Sequence, residues 1–300
     1  MDNQKIKSGF VTIIGKPNVG KSTFINNCLG RKISIISNKP QTTRNSIQGI
    51  YNKDDVQIIF IDTPGIHKAH NELGRFMNKE SFTTLKEVDL ILYIVDGTKG
   101  KSAQDDFILK QFSKSDTPVY LVINKIDLVK DKNKLLEIVL EYTNEFTFKE
   151  VFYISALNGE NVEKMLENIT GVLDYGPRYY PLDQVSDHPE TFIIAELVRE
   201  KVLHLTHEEI PHSVGVVIES MTDDDRNKNL LNIRAIIYVE RPSQKKIIIG
   251  KGGLMIKEIG TLAREEIVPL LGRKIYLDLF VKVLPNWRDK EQDIQRLGYK

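Results

Sequence analysis

The sequence predicts an α/β domain, with a mostly parallel sheet and helices on both faces, followed by a smaller α+β domain. Three observations carry that expectation. Short β-rich runs alternate with longer helix-like segments through the first half of the chain. Several of those runs are continuously apolar, as strands covered on both faces are. Beyond a connector holding Pro177, Pro181 and Pro189, the rhythm changes to paired strands and paired helices.

The runs are FVTIIG, VQIIFID, LILYIVDG, VYLVINKID and VFYISA, and they place the first domain at residues 1–175. The connector, residues 176–190, has turn-forming residues and no periodicity, which predicts an ordered or semi-rigid spacer. The second domain, 191–300, opens with a helix over 191–206. Two strands follow, HSVGVVIES and LLNIRAIIYVE, separated by MTDDDRNKN. In the second of these Leu231, Ile233, Ala235, Ile237 and Val239 share one face, the pattern of an antiparallel hairpin. A short segment ending at Gly250 leads to a helix over about 254–271, with Met255, Ile259, Leu262, Ala263, Ile267 and Leu270 on one stripe. The strand KIYLDLFVKV ends the pattern.

Composition narrows the class. Three hundred residues suffice for two cores, and 41% hydrophobic with 28% charged residues excludes a disordered or membrane-embedded chain. No apolar run approaches the ~18 residues that span a bilayer. MDNQKIKSGF lacks the apolar core of a signal peptide, so a cytosolic protein is expected. The single cysteine, Cys28, excludes an intramolecular disulfide and a multi-cysteine metal site, and is expected to be a small buried hydrophobe. A net charge of +1 says nothing global about nucleic acid, yet residues 241–257 hold Arg241, Lys245, Lys246, Lys251 and Lys257 with no acid among them.

The chemistry starts at GKPNVGKS, which fits G-x-x-x-x-G-K-[ST] between a strand and a helical run. Such a match arises by chance in a chain of this length on the order of once in a hundred. The backbone of Gly15, Lys16, Pro17, Asn18, Val19 and Gly20 is suited to wrap a β-phosphate. Lys21 adds a compact charge for the β and γ oxygens, Ser22 a hydroxyl for Mg²⁺, and Thr23 completes the set. At the end of the next predicted strand comes IDTPG, where Asp62 can hold Mg²⁺ through a water and the Gly65 N–H can sense a γ-phosphate, with Thr63, Pro64 and Ile66 beside them. NKID follows at a further strand end. Asp127 can accept together the N1–H and 2-amino donors of guanine, which adenine lacks. The Lys125 stem can cover the base, and Asn124 can brace the loop. Ser155, Ala156 and Leu157, after the fifth run, can offer a backbone N–H to guanine O6.

These four elements, in this order, resemble the GTPase domain of the translation-factor and Ras-like P-loop class over residues 9–174. The resemblance implies GTP/GDP and Mg²⁺ as cofactors and a threonine that closes on Mg²⁺ and the γ-phosphate. KPQTTRNSIQG supplies Thr43, preferred, with Thr42 as the alternative. The expected metal set is Ser22, Thr43 and Asp62, and the catalytic set Lys21, Thr43 and Gly65. Where Ras-like enzymes place a glutamine to orient water, this chain has Ile66, so a slow intrinsic rate set by backbone and metal-ion positioning is expected. Asn18 resembles the asparagine of GTPases that recruit K⁺ to the phosphates, a role to weigh against simple service in the turn. His67 and His70 lack a third ligand and are expected not to bind metal.

A second glycine loop, Gly250-Lys251-Gly252-Gly253, lies between two helical segments with its basic flank. Gly-x-x-Gly alone is weak: about one or two matches are expected by chance, and Gly97 to Gly100 supplies another, read as a turn. The setting is what distinguishes residues 250–253, because a KH module clamps about four nucleotides in this arrangement and the element order matches its prokaryotic, type II form. The whole chain resembles the Era-like family, TrmE-Era-EngA-type P-loop GTPases with a C-terminal KH domain. That resemblance implies binding of 16S rRNA near its 3′ end, a role in 30S ribosomal subunit assembly, and peripheral association with the inner face of the cell membrane. It implies no DNA partner and a monomer. Lys245, Lys246, Lys251 and Lys257, with Ile249, Gly250, Gly252 and Gly253, are the expected RNA contacts. Most aliphatics of this stretch are expected in the core, and readout is expected to rest on hydrogen bonds and shape more than on stacking. The competing reading keeps the GTPase and makes the C-terminal domain a protein-interaction module.

Overall fold

In the computed structural model, residues 5–37, 39, 42–66, 69, 71–85, 88–113, 115–208 and 210–299 are described. The chain divides into two units, and the first comprises residues 1–34, 43–70 and 74–187. Its elements are β1 (Ile6–Ile14), α1 (Lys21–Leu29), β2 (Ile47–Lys53), β3 (Val56–Asp62), α2 (Glu72–Thr83), β4 (Leu90–Asp96), α3 (Ala103–Phe112), β5 (Val119–Asn124), α4 (Asn133–Thr143), β6 (Glu150–Tyr153), α5 (Val162–Val172) and β7 (Tyr175–Gly176). The sheet runs β2-β3-β1-β4-β5-β6, with β7 antiparallel to the start of β1. Strands β3, β1, β4, β5 and β6 are mutually parallel. Every residue of β4 and β5 is buried, which is why their sequences are unbroken apolar runs.

Because β3 lies on one side of β1 and β4 on the other, the connections leaving the strand ends diverge at β1, the place where open α/β sheets bind ligands. The loops that carry Gly15, Asp62, Asn124 and Ser155 all leave strands at this end. Beneath them Ile14, Tyr93, Leu121, Ile123, Ile108, Phe112 and Tyr142 form a buried cluster. Strand β2 has no counterpart among the five predicted runs. It pairs antiparallel with β3 at the sheet edge and is half polar, so its identity comes from its partner more than from its own pattern.

The connector as far as Asp187 is part of this unit, while residues 188–190 fall in the second, where Glu190 opens a helix. Gln57, fully buried, accepts the N–H groups of Tyr179 (2.7 Å) and Tyr180 (3.0 Å) through its amide oxygen and donates to the Tyr180 carbonyl at 2.9 Å. The free edge of β2 is taken up as well. Ile50 N donates to Val185 O at 3.0 Å, Gln48 N to Asp187 Oδ1 at 3.0 Å, and Gly49 bridges Ser186.

The second unit comprises residues 35–42, 71–73 and 188–300. It contains α6 (Glu190–Leu205), α7 (Ile210–Ser213), β8 (Gly215–Asp223), β9 (Leu230–Val239), α8 (Pro242–Ile249), α9 (Leu254–Leu271), β10 (Lys274–Val283) and α10 (Glu291–Arg296). The sheet order is β10-β9-β8, with β8 antiparallel and β10 parallel to β9. The predicted inward face of β9 is buried throughout, against Ile194 and Val198 of α6 and Ile259, Ala263 and Ile267 of α9. Ile36 and Thr42 are tied to α6: Ile36 N donates to Glu200 Oε1 at 2.8 Å and Arg199 donates to the Thr42 carbonyl. Not anticipated from sequence were α7, α10 and the buried Trp287, whose indole donates to Ser213 O at 2.8 Å and stacks on Tyr299. Ile259 sits at the centre of this core with no exposed surface. Replacing it by alanine is expected to lower stability by about 2–5 kcal/mol, read as a loss in urea midpoint at unchanged m-value.

Candidate nucleotide and RNA sites

The phosphate loop turns between β1 and α1 with Asn18 at φ 64° and Gly20 at φ 102°. The left-handed Asn18 is well suited by its short amide side chain, so the turn by itself accounts for asparagine there. At Gly20 a Cβ would come within 2.2 Å of the Asn124 amide nitrogen, so no other residue fits. Lys21 is buried and its amine donates to the carbonyls of Gly15 and Lys16, both at 3.0 Å. Burial depresses that amine to about 8, against the opposing pull of Asp62, and a phosphate placed in the loop would raise it again.

At the other side of the loop Ser22 Oγ donates to Asp62 Oδ2 at 2.8 Å and lies 3.0 Å from Thr43 Oγ1. Asp62 Oδ1 is buried without a hydrogen-bond partner. Two hydroxyls and a carboxylate with an orphaned oxygen are a hard-oxygen donor set that fits Mg²⁺. When bound, the ion would neutralise charge on the β and γ oxygens. Burial pushes the Asp62 carboxyl up, opposed by Lys21, Ser34 and Ser22. Of the two threonine candidates, Thr42 spends its hydroxyl on Lys39 O at 2.6 Å, whereas Thr43 is the one beside Ser22.

Thr63 donates to Ile13 O at 2.6 Å and the Pro64 carbonyl accepts from Ser81, so these two residues anchor the IDTPG turn to β1 and α2. The turn presses on the phosphate loop at Gly65, where a Cβ would meet Pro17 N at 2.8 Å. Ile66 is fully enclosed among Ile14, Tyr93 and Ile108, and Gln104 donates to its carbonyl. An aliphatic residue here is therefore a core side chain, with no part left to hold water. His67 and His70 lie outside the described residues.

Asn124 joins three loops. Its amide donates to Val19 O at 2.8 Å and accepts from Ala156 N at 2.9 Å. Lys125, at φ 67°, donates to Asn18 O and to Asp96 Oδ2, both at 2.7 Å. Burial alone would raise the Asp96 carboxyl, but hydrogen bonds from Lys125 and Thr98 outweigh it and hold the group below its usual range. Asp127 and Leu157 are exposed at the rim. Ser155 Oγ accepts from Asn158 N at 3.2 Å, closing the last loop.

Sequence reasoning passed over three contacts of this site. Asp105, fully buried, accepts from Lys16 Nζ at 2.6 Å and from the Tyr93 hydroxyl at 2.7 Å. Asp96 holds Lys125, and Ser34 donates to Asp62 Oδ2 at 2.7 Å. None belongs to a motif of fixed spacing. The capping pattern at Ser102 and Asp105 was the one available sign, and it pointed only to a helix start. Cys28 is half-buried and not fully enclosed as expected, and burial still pushes its thiol well above the usual range.

In the second unit α8 ends at Gly250 (φ 74°), one tight turn covers Lys251–Gly253, and α9 begins. A Cβ at Gly250 would collide with Met255 at 2.6 Å, and Gly252 (φ 60°) and Gly253 (φ 79°) are left-handed. Lys246, Lys251 and Lys257 are exposed, while Lys245 and Ile249 are half-buried. Most aliphatics here do belong to the core: Ile248 is fully enclosed and Ile249 and Ile256 pack half-buried against it, whereas Ile247 and Leu254 are 50% and 68% exposed on either side of the loop. One turn further along α9 a groove of about 340 Å³ opens against β10, lined by Ile256, Lys257, Gly260, Thr261, Arg264, Tyr276, Leu277 and Leu279. Tyr276, 60% exposed, sets an aromatic face at the edge of this groove. It comes from the last strand, so nothing near GKGG in sequence announces it.

Fold and loops together place the chain in a class: a P-loop GTPase domain joined to a KH module. Family models agree, one described as 50S ribosome-binding GTPase matching residues 10–125 and one as KH domain matching 209–288. The chain is 52% identical to GTPase Era of Leuconostoc citreum (strain KM20) over 301 residues, covering 100% of this chain and 98% of that protein. Two solved structures, each 42% identical and covering 98% of this chain and 99% of theirs, superpose closely. One is an Era variant from Aquifex aeolicus bound to GDP and AlF4⁻ (TM-score 0.94), the other Era with MgGDPNP and nucleotides 1506–1542 of 16S ribosomal RNA (TM-score 0.95). The chain belongs to the Era family of GTPases.

Two outcomes test the nucleotide site. Asp127→Asn is expected to shift preference from guanosine towards xanthosine nucleotides by about a hundredfold, because two hydrogen bonds to a charged acceptor are exchanged, and competition binding measures it. Ile66→Val, which trims the core by one methylene, is expected to keep single-turnover GTP hydrolysis within about tenfold of the parent, with about 0.5–1.5 kcal/mol lost in stability.

Proposed function

We propose that this protein is a GTP-hydrolysing switch that binds 16S rRNA near its 3′ end through its KH module and acts in 30S subunit assembly. The observation that carries the proposal is the coincidence, over the whole chain, of a complete guanine-nucleotide site with a glycine loop and basic, aromatic-edged groove. Members of the same family at 42% identity hold GDP with AlF4⁻, or MgGDPNP with a 16S rRNA fragment.

Lys21 and the loop N–H groups hold the phosphates, Ser22, Thr43 and Asp62 hold Mg²⁺, and Gly65 N–H meets the γ-phosphate. Asn124, Lys125, Asp127 and Ala156 frame the base. With Ile66 packed away, the attacking water is placed by backbone groups, which gives a slow intrinsic rate; K⁺ beside Asn18 is part of the same proposal. In the KH module Lys251 and Lys257 meet diester phosphates, the glycines let the backbone approach, and Tyr276 offers a face to an unstacked base. Among the described residues no helix is long and apolar enough to cross a membrane. We place the protein in the cytoplasm, with peripheral association at the inner face of the membrane.

The test separates this reading from a protein-interaction module. Replacing Lys251 and Gly252 together by Asp is expected to lower affinity for a 3′-terminal 16S rRNA oligonucleotide at least tenfold, with GTP binding and thermal stability retained. Unchanged RNA affinity in a folded variant would overturn the RNA assignment and leave the interaction module standing.

A further inference from the structure

The Asp62 carboxylate is held more firmly than its expected role as a metal-site acceptor requires. Its Oδ2 accepts two hydroxyls, Ser22 at 2.8 Å and Ser34 at 2.7 Å, while Oδ1, equally buried, has no partner. Ser34 is fully buried and is itself gripped by one side chain of α1. The Asn26 amide oxygen accepts Ile33 N and Ser34 N, both at 3.0 Å, and its nitrogen donates to Ser34 O at 2.6 Å. Asn26 follows Ser22 by four residues, so both lie on one face of the helix. Helix α1 thus reaches the same carboxylate oxygen twice, directly through Ser22 and through Asn26 by way of Ser34.

We propose that Ser34 is a positioning residue of the magnesium site. By engaging Oδ2 it fixes the rotation of the Asp62 carboxylate and leaves Oδ1 available to the ion's water shell. Without it the carboxylate has a single hydroxyl to hold it and can turn about its own bond. The inference rests on the assignment of Ser22, Thr43 and Asp62 to Mg²⁺, and the test keeps the two apart.

The measurement is the release of a fluorescent GDP analogue from the full chain as a function of free Mg²⁺, with affinity in excess EDTA taken in parallel. Ser34→Ala is expected to raise the Mg²⁺ midpoint about tenfold, the worth of one hydrogen bond to a charged group, with EDTA affinity unchanged. Ser34→Thr keeps the hydroxyl and restores the midpoint. Asn26→Ala, a second variant that keeps the hydroxyl but releases its tether, shifts the midpoint the same way by less. Ser22→Ala serves as the control. A shifted control with an unmoved Ser34→Ala, or an equal loss of affinity in EDTA, overturns the role of Ser34. An unmoved control overturns the magnesium assignment beneath it.

Discussion

The nucleotide site depends on one buried amide that has no water to turn to. Asn124 is 2% exposed, so both ends of its side chain must find protein partners or leave a costly unpaired group. It finds them in two different loops, Val19 of the phosphate loop and Ala156 of the last strand-end loop, while itself opening the loop of Lys125 and Asp127. The three loops are thereby locked to one frame. Gly20 completes the constraint, since the amide occupies the space any side chain there would need.

Around that frame the site is stiffened by carboxylates that bind its own side chains. Asp105 draws Lys16 onto α3, Asp96 draws Lys125 over the outside of the phosphate loop, and Asp62 gathers two serines. Each lies at a strand end or helix start, where the polar backbone of the loops must be satisfied without water. Ile66 shows the complementary solution: an apolar residue beside the γ-phosphate region is accommodated by facing the core, with its carbonyl held by Gln104.

The legible parts of the fold were those where a segment's own pattern reflects an apolar run or a single apolar stripe. The five parallel strands and α9 read off directly, because apolar runs and the 3.6-residue stripe mark elements that pack on their neighbours. Strand β2, half polar at an edge, and α10, six residues long, carry too little periodic signal. In the site, the motifs single out residues at fixed spacings within single loops. Ser34, Asp96, Asp105 and Tyr276 escaped because their places are imposed by the fold, across 28 residues between Ser34 and Asp62 and 89 between Lys16 and Asp105. Reading GKGG by its setting located the loop, while the exposure of Ile247 and Leu254 beside it was beyond any periodicity argument.

The stitching of residues 179–187 along β2 bears on where this chain can be cut. The edge strand's unpaired N–H groups, a template for another strand, are capped by the Val185 carbonyl, the Asp187 carboxylate and the Ser186 bridge. A GTPase fragment ending at residue 175 would lose that selvedge and offer a bare, twisting border to its copies. One ending after Asp187 would keep it sealed. The stretch that reads as a spacer is, in material terms, the hem of the first unit.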